Sequence, residues 1–422
     1  MEYALSKGTV LRREWFGCLC YQTYTGRFWQ FNEDAFEILR NLKDSVSLDE
    51  LKNLLSTRGM KISGRKLKCF LDAYELQGLV SRRNEVSEIL FFNENQDDFR
   101  KNCLSVPSSV TIYITDYCTK CCRHCATNAH PMINKNKELK LKDWIKVIEK
   151  LRKAGVLVLV ISGGEPLAVS YTEKVLKIAD EMQFGLSLLT DYDDISEKQV
   201  SNLQSLKHPL NIQTSLDGAN AVTHDFLRGD GSFIKTLRRF QMLKDAGMVF
   251  TASVSVHKKN IGELEEIADI AFENGASYIY LNAVAPYGRA KETMKNLLLD
   301  DIELKYMAQT CLRWTAGGKI KLRNPFWEAN LHRLNDDDFH PFSGTLSAMS
   351  LGVYNFTINS RGRCYLDAKQ RAEDFLFLGN IKNVDLQTMW NDTRLDVLRS
   401  MNEQVEFTYA DQSKIEAALS LV

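Results

Sequence analysis

The chain has 422 residues, of which 44% are hydrophobic and 26% charged, and its 54 Lys+Arg balance 54 Asp+Glu. That length accommodates two or three domains of ordinary globular composition. A net charge of zero supplies no overall field to recruit nucleic acid or a membrane surface. No run approaches the 18 apolar residues of a spanning helix, and the N-terminus MEYALSKGTVLRREW lacks a signal peptide's basic-then-apolar pattern. Ten cysteines are too sparse for a secreted disulfide scaffold. Reduced thiols place the protein in the cytoplasm.

Residues 1–85 predict a separate domain. Gly8–Arg12, Phe16–Tyr21 and Arg27–Phe31 read as three short strands, with a turn at Thr23–Gly26. Asp34–Leu42 reads as a helix. A second starts at Ser47, with Glu50 at the capping-box position and Gly59 as its stop. A third covers Gly64–Gly78, with Leu67, Phe70, Leu71 and Tyr74 on one face. Three strands with three helices make a winged helix. Its 14 Lys+Arg against 11 Asp+Glu are a weak surplus for gripping phosphates. The string KGTVLRREWFGCLCYQTYTGRFWQFNEDAFEILRNL resembles the peptide-binding chaperone of pyrroloquinoline quinone biosynthesis. It is also similar to the recognition element (RRE) that binds leader peptides of ribosomally made natural products (RiPPs). The resemblance implies that a leader adds as a strand to the third β-strand and packs on the third helix. Phe28, Trp29, Gln30, Phe31, Arg65, Lys68 and Leu71 are then the expected peptide contacts. Residues 86–107, with NENQDD and SVPSS, read as a linker.

From 108 to 290 strand and helix signals alternate, which predicts a parallel α/β architecture. Six strands are expected at Val110–Thr115, Val156–Ile161, Phe184–Thr190, Leu210–Ser215, Val249–Val256 and Tyr278–Asn282. Trp144, Val147, Ile148 and Leu151 recur at helical spacing with Gly155 as a stop, and further helices are expected near 172–182, 196–206, 233–246 and 261–274. Directly after the first strand comes TDYCTKCCRHCA, with Cys118, Cys122 and Cys125 spaced Cys-x3-Cys-x2-Cys. Three thiolates on one loop can hold three irons of a 4Fe-4S cubane and leave the fourth open to a substrate, whereas clusters ordinarily take four cysteines. The loop also parses as two Cys-x2-Cys zinc knuckles, Cys118/Cys121 and Cys122/Cys125. These abut, with no spacer to turn one back onto the other for tetrahedral geometry.

The three-cysteine spacing, the preceding strand and the string SGGEP at Ser162–Pro166 resemble the radical S-adenosylmethionine (radical SAM) superfamily. The resemblance implies a partial (β/α)6 barrel. Its open iron chelates the amino and carboxylate groups of SAM. One electron, from a flavodoxin or ferredoxin-type reductant, cleaves SAM to a 5′-deoxyadenosyl radical that abstracts hydrogen from the substrate. It further implies that Gly163, Gly164, Glu165 and Pro166 meet the SAM amino group, and that Thr190 contacts the cofactor. The string SLDGANAVTHDFLRG resembles the family segment in which Ser215 and Asp217 face SAM or substrate and Arg228 pairs with the SAM carboxylate. NAVAPYGRA resembles the segment after the sixth strand, which starts near the adenine at Asn282. Where the family often has Thr-Asn-Gly this chain has Thr190-Asp191-Tyr192, which puts a negative charge in place of an amide. His124, between two ligands, is expected to pack or hydrogen-bond near the cluster.

Residues 291–422 echo a SPASM or twitch domain in MSLGVYNFTINSRGRCYLDA and LGNIKNVDLQTMW. Met349 and Asp367 stand at the expected cysteine positions, and no cysteine follows Cys364. This predicts a SPASM-like α+β domain without its auxiliary clusters, with Cys364 a candidate hydrogen-atom donor over the barrel mouth. The expected function is radical modification of a ribosomal precursor peptide. A small cofactor precursor is the competing substrate, and a non-catalytic Fe–S peptide-binding protein the competing class.

Overall fold

The computed structural model describes residues 2–82, 89–100, 103–317, 355–366, 371 and 374–402. At the N-terminus, strands β1 (Glu2–Leu5), β2 (Thr9–Glu14), β3 (Gly17–Gln22) and β4 (Arg27–Asn32) lead into helix α1 (Glu33–Arg40) and strand β5 (Val46–Ser47). Helices α2 (Leu48–Thr57) and α3 (Gly64–Leu76) follow, then strands β6 (Val80–Ser81) and β7 (Leu90–Phe92). The capping box of α2 is present: the Ser47 hydroxyl accepts from the Glu50 amide, and Glu50 accepts from the Ser47 amide at 3.0 Å. Strands β2, β3 and β4 form an antiparallel meander. Strand β4 is one edge of the sheet; β7, parallel to β2, is the other. Residues 86–107, expected as a plain linker, therefore contribute a strand and bury Cys103, Leu104 and Val106.

Period-2 alternation splits β4. Phe31 is 5% exposed, its ring 5.1 Å from that of Tyr74, while Phe28 is 44% exposed. Leu71 on α3 is fully buried. Phe31 and Leu71, expected at a peptide-facing surface, are thus core residues that join the helices to the sheet. Trp29 is half-buried and donates its indole N–H to Gln77 Oε1 at 2.9 Å. Gln30, Arg65 and Lys68 are exposed.

Six strands then run parallel in chain order: β8 (Ser109–Tyr113), β9 (Val158–Ser162), β10 (Gly185–Leu189), β11 (Leu210–Ser215), β12 (Phe250–Val256) and β13 (Tyr278–Ala283). Helices α4 (Leu141–Lys153), α5 (Thr172–Glu181), α6 (Glu197–Gln204), α7 (Ala221–Arg228), α8 (Ser232–Asp245) and α9 (Leu264–Glu273) connect them. Helix α7 was not anticipated; Asn220 caps it with its side-chain oxygen. Along the strands fully buried apolar residues are interleaved with half-buried ones, such as Asn211 and Gln213 on β11. Helices α10 (Ala290–Thr293) and α11 (Asp301–Gly317) follow β13.

The C-terminal segment extends the same sheet. Strand β14 (Asn355–Ile358) pairs parallel with β8; β15 (Arg363–Tyr365) and β16 (Gly379–Asn380) follow antiparallel. Helices α12 (Leu386–Trp390) and α13 (Thr393–Asn402) complete it, with Trp390 fully buried and donating to the Leu104 carbonyl at 2.7 Å. Met349 and Asp367 lie outside the described residues. Cys364 is not at the barrel mouth. It is fully buried on β15 among core side chains, its Sγ 3.5 Å from the Gly362 carbonyl, which does not favour the expected role of hydrogen-atom donor.

The N-terminal module docks on the N-terminal ends of the parallel strands. Tyr21 lies over Gly185, the first residue of β10; a Cβ there would stand 2.5 Å from the Tyr21 ring. Tyr24 meets His208, just before β11, at 4.7 Å between ring centroids. Arg12, fully buried, pairs with Glu14 at 2.6 Å and donates to the carbonyls of Pro107 and Gly155 at 3.1 and 2.9 Å. Glu14 also accepts from the amide and hydroxyl of Ser105. Removing one partner of a buried pair leaves an uncompensated charge. Glu14→Ala is therefore expected to lower stability by about 3–5 kcal/mol, read as a shift in the urea midpoint.

Candidate functional site

The loop after β8 carries Cys118, Cys122 and Cys125. Cys122 is buried and the other two are half-buried. All ten cysteines are free thiols. Neighbouring elements fix the loop. Glu138 accepts from the Thr115 hydroxyl at 3.0 Å and from the Asp116 amide at 2.7 Å. After β13, the Arg289 amide donates to the Cys125 carbonyl at 2.9 Å, and the Arg289 guanidinium donates to the carbonyls of Cys122 and Ala129. Gly288, at φ 54°, packs where a Cβ would stand 2.4 Å from the Ala126 carbonyl oxygen. From sequence, only the start of this segment had an expected role. Asp116 also pairs with Ser360, at 2.6 Å, and with Arg371 of the C-terminal region. Cys121 is exposed and lines a groove with Arg123, Asp225 and Phe226, apart from the three spaced thiols.

SGGEP lies against this loop. The Gly164 and Glu165 amides donate to the carbonyls of Thr115 and Tyr117 at 2.7 and 2.8 Å. A Cβ on Gly164 would stand 2.1 Å from the Tyr117 oxygen. The glycines thus admit the cysteine loop's own backbone rather than a ligand. Pro166 is buried and opens a single turn, Pro166–Ala168. Glu165, 2% exposed, accepts from the Thr190 hydroxyl at 2.6 Å and from the amides of Leu167 and Asp191 at 2.9 and 2.8 Å. Its carboxylate and the Thr190 hydroxyl clamp β9 to β10.

Beside this clamp lies a buried charge network. Lys120 Nζ donates to Asp191 at 2.8 Å and pairs with Asp193 at 2.7 Å. Arg228 donates through Nε to Asp217 and through Nη1 to Asp191 at 2.7 Å. Its Nη2 lies 3.4 Å from His124 Nε2. Arg239 pairs with Asp191 and donates to Thr214 at 2.7 Å. Asp217 also accepts from the Ser255 amide at 2.6 Å. Arg228, expected to pair with a cofactor carboxylate, is already matched by two carboxylates, because a guanidinium buried this deeply needs internal compensation. Asp217, expected to face the cofactor, is likewise engaged. Asp191 supplies the anion that three cations share, which an asparagine cannot. Lys120, Arg239 and Arg289 were missed; their partners lie too far along the chain for spacing to reveal. Ser215 (half-buried) and Asn282 (exposed) remain open at the ends of β11 and β13.

Burial sets the titration of these groups. It pushes Cys118 up to about 12 and Cys122 up to about 11, the latter eased by Arg228. It raises Glu165 to about 7 despite three donated hydrogen bonds. Burial works against Asp191 too, but Arg228, Arg239 and Lys120 outweigh it and hold the carboxyl low. Burial presses His124, His224 and His257 each down to about 4.

Among the described residues no three His, Cys, Asp or Glu side chains gather tightly enough for a single metal ion. A cubane makes no such demand, since each thiolate binds a different iron. The three free thiols on one anchored loop, and the buried His124 Nδ1 with no hydrogen-bond partner, fit such a group.

With this geometry in place, residues 112–271 match the profile of the Radical SAM superfamily, and the chain carries a radical SAM domain. That family uses a 4Fe-4S cluster and SAM. The sporulation killing factor maturation protein SkfB of Bacillus subtilis (strain 168) is 26% identical over 68% of this chain and 61% of its own length. The mycofactocin maturase MftC of Mycolicibacterium smegmatis is 29% identical over 46% of this chain and 49% of its own. The chain thus spans about half the length of these relatives. Among solved structures, Streptococcus suis SuiB bound to its precursor peptide SuiA superposes with a TM-score of 0.67 at 17% identity, over 94% of this chain and 89% of SuiB. SuiB bound to SAM gives 0.66 at 16%, over 99% and 93%. At that identity the likeness is one of fold. No helix among the described residues is long and apolar enough to cross a membrane.

The histidines carry a pH signature in the metal-free protein. Each takes up a proton near pH 6.5 when unfolded but only near 4 when folded. Their share of stability is present above 6.5 and is lost as pH falls toward 4. Glu165 acts oppositely: its share is lost as pH rises from 4.5 to about 7. A tenfold change in a group's proton affinity is worth about 1.4 kcal/mol; burial also raises Glu14 and Glu138, which act with Glu165, but by less than it lowers the three histidines. Urea midpoints should therefore fall between pH 6.5 and 4; a flat or rising profile would contradict the burial of these rings.

Proposed function

We propose that this protein is a leader-guided radical SAM enzyme that modifies a ribosomally made precursor peptide in the cytoplasm. The observation that carries the reading is the three-cysteine loop anchored at the C-terminal ends of six parallel strands, where catalytic loops of such folds gather. Cys118, Cys122 and Cys125 would hold the cluster. Ser215 and Asn282 are the side chains left to meet SAM, the charge network holding the walls in place. When bound, cluster and SAM supply a 5′-deoxyadenosyl radical, with the electron drawn from a flavodoxin or ferredoxin-type protein. SkfB and MftC are described as maturation proteins, and SuiB was solved with a precursor peptide, which supports a peptide substrate.

Residues 1–85 act as a winged-helix recognition element. Strand β4 is a sheet edge, and such an edge presents unpaired amides and carbonyls to a partner chain. Exposed Phe28 and Gln30 on that strand, and exposed Arg65 and Lys68 on α3, are the contacts that fit a leader. The C-terminal strands and helices act as a SPASM-like scaffold without auxiliary clusters; Cys311 and Cys364 are both buried in the core.

Anaerobic reconstitution should give about four irons per chain and 5′-deoxyadenosine on reduction with SAM. Replacing Cys118, Cys122 and Cys125 together with alanine should abolish both. Continued 5′-deoxyadenosine release by that variant would sink the cluster assignment. Phe28→Asp in the full chain should weaken binding of a precursor peptide encoded beside the gene about tenfold, about 1.4 kcal/mol, in fluorescence anisotropy. SAM cleavage should persist; equal loss of both would make the N-terminal module a structural part only.

A further inference from the structure

We infer that His124 donates a hydrogen bond from Nδ1 to a sulfur of the iron–sulfur cluster, and that Asp217 and Arg228 are positioning residues that orient it. The inference rests on the cluster reading above and adds a role for a residue that does not ligate iron.

A fixed relay of three side chains leads to this ring. Asp217, fully buried, holds Arg228 through Nε, and Arg228 turns Nη2 toward His124 Nε2 at 3.4 Å. A guanidinium only donates, so Nε2 must accept. In a neutral imidazole the proton then sits on Nδ1, which makes that atom a donor. Nδ1 is buried and has no partner in the protein. An orphaned buried donor is costly and calls for an acceptor. His124 stands two residues after Cys122 and immediately before Cys125. A cluster held by those residues would bring electron-rich sulfur acceptors next to this residue in the loop.

The consequence is electronic. Reduction adds negative charge to a cluster, and hydrogen bonds to its sulfurs are among the levers that set the potential. A donor at His124 favours the reduced state. The positive charge of Arg228 behind the ring acts in the same direction, partly offset by Asp217 and Asp191.

The test is an EPR-monitored potentiometric titration of the reconstituted full-length protein without SAM. His124→Phe keeps an aromatic ring and removes the donor. It should keep its iron and shift the reduction equilibrium about tenfold toward the oxidised cluster, about 59 mV for one electron. In parallel, wild-type protein labelled with 15N-histidine should show a weak 15N coupling to the reduced cluster, with a proton that exchanges in D2O. An iron-loaded His124→Phe variant with an unchanged potential would overturn the inference. So would a wild-type spectrum without 15N coupling, or with coupling only after SAM is added, which would assign the contact to the cofactor. The wild-type spectrum decides the matter even if the variant fails to load. A wild type that takes up no iron would instead sink the functional reading itself.

Discussion

The site depends on the pairing of Arg228 with Asp191 and Asp217. A guanidinium taken this far from water is tolerated only when carboxylates surround it. The two that do so sit at the ends of β10 and just past β11, so one side chain at the end of α7 ties together three segments of the barrel mouth. Lys120 and Arg239 join the same Asp191, which brings in the cysteine loop and α8. Loss of any member strands a charge in a low-dielectric interior, so these loops stay in register with one another rather than moving singly.

The two ends of the parallel strands carry different tasks. The N-terminal ends receive the small module through Arg12, Tyr21 and Tyr24. The C-terminal ends hold the thiols and the charge network. A peptide gripped at β4 therefore has to pass along a strand's length, about 17 Å for five residues, before its reactive residue reaches the loops. In the proposed function, binding and chemistry are separated by geometry, and the substrate needs an extended stretch between the part that is held and the part that changes.

Much of this was legible in the amino-acid sequence. Every barrel strand falls within two residues of its expected bounds, because these strands are short, carry apolar residues at their buried positions and alternate with amphipathic helices. The α2 capping box and the cysteine spacing are local patterns and were read directly. What escaped depends on proximity without sequence neighbourhood. The hydrogen bond of Glu165 to Thr190 and the two carboxylates beside Arg228 join residues 11 to 37 positions apart, which no spacing reveals. Arg289 has no local signal at all, since its acceptors are carbonyls some 160 positions earlier. Phe31 is a different case. Alternation along β4 already separates it from Phe28, and treating the strand as one block hid that distinction. Strand β7 was hidden because a three-residue strand on the edge of another domain's sheet carries too little periodicity to stand out among polar neighbours.

The most direct measurement is Mössbauer spectroscopy of protein reconstituted with 57Fe, recorded before and after SAM is added. The account requires one iron of the cubane to change its coordination on SAM binding while the other three stay sulfur-ligated. Four irons all held by the polypeptide and indifferent to SAM, or a mononuclear site, would contradict it.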